Sequence, residues 1–269
     1  IDLPEQEQNE SVKIAQWNDN CTLNVTNLSL QYDESKQSLL KDISFSWKGF
    51  GKIGIIGASG AGKSTLINVL GGFAHPTSAS IQINNETITS FNTKEWQQQV
   101  LYIPQHPYIF NDTLANNVSF YTPNATNEEI QQACHHAGLS TVIESLPNGL
   151  DERVGESGRV LSGGQEQRIA LARAFLDQSR KILLFDEPTA HLDIETEWEL
   201  KQNILPLLDQ RLVFFATHRL HWMIDMDTII VMNQGEIVET GTHEQLLKAN
   251  GYYTKLIQAQ MHGTEEQNG

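Results

Sequence analysis

The sequence predicts an α/β fold: a mainly parallel core sheet joined to an antiparallel β subdomain and to a helical subdomain. Three observations carry this. Residues 52–56, 181–185 and 212–216 are apolar runs without strand-like alternation, as in strands buried on both faces. Segments with helical spacing follow two of these runs, and the third leads into a hairpin. Near the start, 21–32 and 43–47 alternate instead, which is the pattern of half-buried antiparallel strands.

Taken in order, Leu23, Val25, Leu28 and Leu30 mark the first strand, and a polar turn at 33–38 separates it from 43–47. The run 52–56 feeds a glycine-rich loop and then a helix over 63–70, closed by Gly71-Gly72 and His75-Pro76. Short strands follow at 79–83, with a turn at Asn84-Asn85, and at 100–103, where Pro104 breaks the ladder before Gln105. Thr126 to Glu129 and Thr141 to Glu144 both fit a capping box, so 113–146 reads as several short helices. Ser162 is an N-cap for a helix carrying Ile169, Ala170, Leu171, Ala174 and Phe175.

The run 181–185 ends in Asp186-Glu187-Pro188, and Asp193 caps a helix towards Pro206. The run 212–216 ends at Thr217-His218-Arg219. Segments 228–232 and 236–239 form a hairpin around Asn233-Gln234-Gly235, and Thr242 with Gln245 opens a terminal helix. The last residues, 263–269, read as a polar, disordered tail. Ligands of α/β sheets bind at the carboxyl ends of strands, where three polar clusters fall: the glycine loop, Asp186-Glu187 and His218.

At 269 residues the chain is large enough for a substantial core. Its formal charge of −15 opposes an extended nucleic-acid interface, which needs basic groups against phosphates. No run approaches about 18 consecutive apolar residues, the length needed to span a bilayer. The polar stretch 1–20, opening on Ile1, reads as a linker following a removed segment. Cys21 and Cys134 have no metal-ligand spacing and read as packing residues. His135 and His136 point different ways on a helix and read as surface residues.

Gly57-Ala58-Ser59-Gly60-Ala61-Gly62-Lys63-Ser64-Thr65 fits G-x-x-x-x-G-K-[ST] directly after an apolar strand. The glycines allow successive N–H groups to face one anion, and the helix from Lys63 aims its positive end at the same point. Lys63 would reach the β- and γ-phosphates of a nucleotide, and Ser64 would bind Mg²⁺. Asp186 would hold the same Mg²⁺ through its water shell. Glu187, turned the other way, would orient or deprotonate a water attacking the γ-phosphate.

These residues resemble the ATP-binding cassette (ABC) family from Cys21 to Gln260. Leu161-Ser162-Gly163-Gly164-Gln165 is identical to the family signature LSGGQ. The resemblance implies a P-loop NTPase (RecA-like) core over 21–262, with the helical subdomain over about 106–178. It makes 57–65 the Walker A loop, 181–186 the Walker B strand, Glu187 the catalytic glutamate, and Gln105 a glutamine that contacts Mg²⁺ and couples to a transmembrane part. Ala190-His191-Leu192-Asp193 matches the D-loop, with His191 where serine is usual, and His218 matches the switch histidine that senses the γ-phosphate. Tyr32 stands about where an aromatic would stack on adenine. The implied mechanism is two cassettes meeting head to tail, each ATP lying between one chain's Walker loop and the other's Ser162, Gly163, Gly164 and Gln165.

Residues 104–114 and 153–158 resemble exporter forms of this family, which implies a transmembrane domain preceding the chain and a place at the cytoplasmic face of the cell membrane. The run 217–248 looks most similar to subunits of heterodimeric cysteine/glutathione exporters needed for cytochrome bd assembly, with lipid, peptide or drug exporters left open. Two other classes compete: a soluble ABC ATPase acting on nucleic acid or ribosomes, and a catalytically weak regulatory half. The acidity and the exporter-type segments oppose the first, and the intact Glu187, His218 and signature oppose the second.

Overall fold

The computed structural model describes residues 14–31, 38–156 and 158–265, with side chains as far as 260. Its strands are β1 (Thr22–Gln31), β2 (Ser38–Lys48), β3 (Gly51–Ile56), β4 (Ser78–Ile83), β5 (Glu86–Ile88), β6 (Val100–Ile103), β7 (Asp112–Thr113), β8 (Arg153–Val154), β9 (Ile182–Asp186), β10 (Leu212–Ala216), β11 (Thr228–Asn233) and β12 (Glu236–Gly241). The helices are α1 (Lys63–Leu70), α2 (Lys94–Gln97), α3 (Leu114–Val118), α4 (Asn127–His136), α5 (Ser140–Glu144), α6 (Gly163–Leu176), α7 (Ile194–Leu207), α8 (His243–Ala249) and α9 (Tyr252–Glu265).

The central sheet runs β12-β11-β3-β10-β9-β6, parallel throughout except for β12, which returns antiparallel from β11. A second, antiparallel sheet has the order β2-β1-β4-β5. The α/β expectation therefore holds, and the physical reason is visible in the core. On β9, Leu183 and Phe185 enter one apolar cluster while Ile182 and Leu184 enter another. Likewise Val213 and Phe215 of β10 face one way and Leu212, Phe214 and Ala216 the other. Each strand is covered on both sides, which removes any need for polar alternation. One cluster joins the sheet to α3, α4, α6 and α7; the other joins it to α1 and the antiparallel strands.

The local start and stop signals explain most boundaries. Thr126 and Glu129 form the expected capping box on α4, and Asp193 caps α7 by accepting from Thr196 N. The hairpin turn at Gln234-Gly235 has positive φ at both residues, 48° and 82°, the geometry that suits two-residue β-hairpins.

Three expectations need correction. Thr141 is not an N-cap: α5 begins at Ser140 after Leu139, with no side-chain cap. Leu139 N donates to Cys134 O after Gly138 at φ +70°, so the end of α4 turns the chain straight into α5 and no cap is needed. Nor is 14–20 a free linker, because Trp17 is buried, packs edge-on against Trp96 and donates from Nε1 to Gly49 O at 2.9 Å. At the other end α9 continues to Glu265, three residues into the stretch read as a tail, because its first turns are anchored by buried Tyr253.

Candidate functional site

Parallel register brings the carboxyl ends of β3, β10, β9 and β6 to one edge. Ala216 pairs with Ile55 on one side and Asp186 on the other. The residues just past these strands are thus neighbours in space although far apart in sequence: the loop 57–62, Thr217-His218, Glu187, and Gln105.

The glycine loop curls as its composition predicts. Gly62, at φ +104°, is the N-cap of α1, a conformation open to glycine and costly for other residues. No side chain caps this helix, so its first N–H groups stay available to an anion. Lys63 is buried and folds across the loop, its Nζ donating to Gly57 O at 3.0 Å and Ala58 O at 3.3 Å. Burial lowers its pKa, against the pull of Glu187 and Asp186, which favours the ammonium. A cleft of about 700 Å³ opens over this loop, lined by Gly60 to Thr65 together with Ser38, Leu39, Lys41, Gln234 and Gly235.

Ser64 Oγ donates to Asp186 Oδ1 at 2.8 Å. Burial raises the Asp186 pKa, the Ser64 bond opposes that, and the Glu187 charge adds to it. A half-buried hydroxyl and a buried carboxylate in contact form an all-oxygen donor pair, the set that a hard cation such as Mg²⁺ takes. The residues present therefore fit the ion.

Glu187 turns away from that pair. Its backbone sits at φ +50°, and its carboxylate meets the β10 end: Oε2 accepts from Thr217 Oγ1 at 3.1 Å and His218 N at 3.2 Å, and lies 2.8 Å from His218 Nδ1. Its Oε1 is 3.9 Å from Lys63 Nζ. Burial pushes the carboxyl up, but the His218 bonds and Lys63 outweigh it, so its pKa lies below the usual glutamate value. Two adjacent carboxylates are thus driven in opposite directions, one raised and one lowered.

Of the residues predicted from sequence, Gly57 to Thr65, Asp186, Glu187 and His218 come together at this edge. Gln105 reaches it only through its backbone: its carbonyl accepts from Gln167 Nε2 at 3.2 Å, and its side chain is outside the bonds joining Ser64, Asp186 and Lys63. Tyr32 lies outside the described residues. Ser162, Gly163, Gly164 and Gln165 open α6 but do not line the Lys63 cleft. There Ser162 and Gln165 cap each other reciprocally. A Cβ on Gly164 would stand 3.1 Å from His191 O, so this glycine admits the His191 loop of its own chain.

Sequence reasoning missed two polar groups at this edge. Gln167 is fully buried on α6, and Arg219 donates from Nη2 to Leu192 O at 3.0 Å while pairing with buried Glu197. The available signal was a polar residue in an apolar stripe, since Gln167 shares its helix face with Ala170, Leu171 and Ala174.

A sequence profile of the ABC transporter family matches residues 40–190. The chain is 54% identical over 250 residues to the glutathione/L-cysteine transport system ATP-binding/permease protein CydC of Bacillus subtilis (strain 168), covering 93% of this chain and 43% of that protein. It is 39% identical over 235 residues to an ATP-dependent lipid A-core flippase of Pseudomonas fluorescens (strain Pf0-1), covering 87% of this chain and 39% of the other. Among solved structures, a bacterial Atm1-family ABC exporter with ATP bound superposes with a TM-score of 0.82 at 32% identity, covering 97% of this chain and 44% of that one. The chain spans less than half the length of these relatives.

Proposed function

The chain belongs to the ABC transporter family, and from that premise we propose that it is an ATP-binding and ATP-hydrolysing domain that powers a membrane exporter, with cysteine or glutathione as cargo. The observation that carries the catalytic part is the meeting of the β10 end and the start of α1 on Glu187: Thr217 and His218 on Oε2, and Lys63 3.9 Å from Oε1.

In this reading the ATP phosphates lie on the 57–62 amides and the α1 N-terminus, with Lys63 as counter-charge. Ser64 and Asp186 would hold Mg²⁺, with Gln105 as a further ligand, and the bound ion would neutralise charge on the phosphates. Glu187 takes the proton of a water whose oxygen attacks the γ-phosphorus as the bond to the ADP oxygen breaks. A lowered pKa keeps Glu187 ionised, the form in which it accepts a hydrogen bond from that water. His218 holds the carboxylate in place from 2.8 Å and, 54% exposed at its side chain, has a face free for the γ-phosphate. Tyr32, outside the described residues, would stack on adenine.

Ser162, Gly163, Gly164 and Gln165 do not line this cleft, which supports their serving the ATP of a second cassette. The α6 capping box uses the Ser162 and Gln165 amides and leaves those of Gly163 and Gly164 for an anion. ATP would then hold two cassettes together, and its hydrolysis would release them. The thiol cargo rests on similarity to CydC over 93% of this chain, and the membrane location and transmembrane partner domain rest on the exporters it resembles.

The test uses the full-length protein in lipid vesicles. ATP-dependent accumulation of labelled glutathione or cysteine, abolished in Glu187→Gln, is the expected outcome. Movement of a fluorescent lipid with no thiol transport would reassign the cargo, and turnover by Glu187→Gln at the wild-type rate would remove Glu187 as the base.

A further inference from the structure

The Gln167 side chain is buried on α6, two residues past the end of the LSGGQ stretch, among apolar neighbours. A primary amide there has to find partners, because an unsatisfied buried donor or acceptor is costly. It finds three, all backbone groups and each from a different segment of the site. Nε2 donates to Gln105 O at 3.2 Å and to Glu187 O at 3.2 Å, while Oε1 accepts from His191 N at 2.9 Å. One side chain thus ties the loop after β6, the residue after β9 and the loop before α7 to the start of the signature helix.

The contact with Glu187 matters most. Glu187 occupies φ +50°, a left-handed conformation that a non-glycine residue holds only where its surroundings impose it. Three bonds impose it here: Glu187 N donates to Ala216 O at 2.8 Å, and Glu187 O accepts from both Ala190 N at 3.1 Å and Gln167 Nε2 at 3.2 Å. Releasing the Gln167 bond leaves Glu187 O held within its own turn by Ala190 N alone and unties that turn from α6, so the turn can shift and carry the carboxylate away from Thr217 and His218.

We propose that Gln167 is a positioning residue: its amide fixes the backbone of Glu187, and with it the aim of the carboxylate, and couples that aim to the Gln105 and His191 loops. Movement of the signature helix, which carries Gln167, is thereby felt at the catalytic carboxylate of its own chain. The proposal rests on the ATPase reading of this site, but the tie itself is testable without nucleotide.

Two variants of the full-length protein separate the bonds. Gln167→Met keeps the length and removes donor and acceptor; Gln167→Glu keeps an acceptor for His191 N and removes the donors. Amide hydrogen exchange without nucleotide should show His191 deprotected in Gln167→Met and still protected in Gln167→Glu. ATP turnover, counted per nucleotide-binding site from fluorescent-ATP titration, should fall at least tenfold in kcat in both variants, with KM for ATP within about threefold of wild type. Counting per binding site discounts any unfolded fraction. If kcat per site stays within twofold of wild type in both variants, or if His191 exchange is unchanged in Gln167→Met, the positioning role is wrong. A wild type that bound no ATP would instead overturn the ATPase reading and leave the exchange result standing.

Discussion

Glu187 N donates to Ala216 O at 2.8 Å, extending the β9–β10 ladder one residue past Asp186 just as the chain turns left-handed. This bond aims the Glu187 carboxylate across the sheet edge at Thr217 and His218 instead of along it at Ser64. Adjacent acids therefore serve separate partners.

Glu187→Gln keeps the shape and can keep the Thr217 contact, but it removes the proton acceptor. General-base catalysis is worth about 10²–10⁴-fold. We expect turnover to fall by that order while ATP affinity stays within a few-fold, read by phosphate release and by calorimetry. Because hydrolysis would be blocked with ATP retained, gel filtration with ATP should show more cassette pairing than in wild type.

Lys63→Ala removes a buried ammonium held by two loop carbonyls. Charge-assisted hydrogen bonds contribute about 1.5–3 kcal/mol, so ATP affinity should weaken by roughly 10- to 150-fold. Calorimetry giving an unchanged Kd would show that phosphate does not sit on this loop. Substituting Arg would not restore binding, because a forked guanidinium cannot occupy the space between Gly57 O and Ala58 O.

Much of this site was legible because its parts are local. The 57–65 spacing, the apolar run into Asp186 and the Ser162 cap each announce themselves within about ten residues, and the structure places them as local physics requires. What was not legible is the cross-chain wiring. Gln167 stands out locally only as a polar residue on an apolar helix face, and nothing nearby names its three partners, which are 62, 20 and 24 residues away. Glu197 fits an exposed i, i+4 partner for Lys201, yet it is fully buried and binds Arg219 and Trp222 instead. Trp17 fell in a stretch read as linker because composition averages over 1–20 and one buried indole does not change the average.

Glu197→Ala should destabilise the fold. Its carboxylate accepts from Trp222 Nε1 at 2.8 Å and from Thr189 Oγ1, and pairs with Arg219. Removing it leaves the buried Trp222 N–H and Thr189 hydroxyl without their acceptor and the half-buried Arg219 without its counter-charge, and an unsatisfied buried donor costs about 1–3 kcal/mol. Urea denaturation should show the loss. Arg219 also holds Leu192 O, so the His191 amide region should exchange faster as well. Unaltered stability would mean that water replaces the carboxylate and that the network is not a structural support.

Asp177 gives the acid sensitivity a definite sign. Its side chain is fully buried at the end of α6, bonded to Ser179 and paired with Arg180. Burial pushes the carboxyl up, but the Ser179 and Arg180 bonds outweigh it and its pKa lies below the usual value. The unfolded chain, with an aspartate pKa of about 3.9, then binds the proton more readily than the folded one. The stabilisation is therefore complete above that value and is lost as pH falls through the lower folded pKa. Asp177→Asn removes this dependence while keeping the shape. At pH 7 it should cost about 1–3 kcal/mol, because Arg180 loses its charged partner and a donor replaces an acceptor facing Ser179. Between about pH 5 and pH 3 the wild-type urea midpoint should fall more steeply than that of the variant, so that the two curves converge at the acid end. Parallel curves across that range would show that Asp177 is not the group whose protonation weakens the fold.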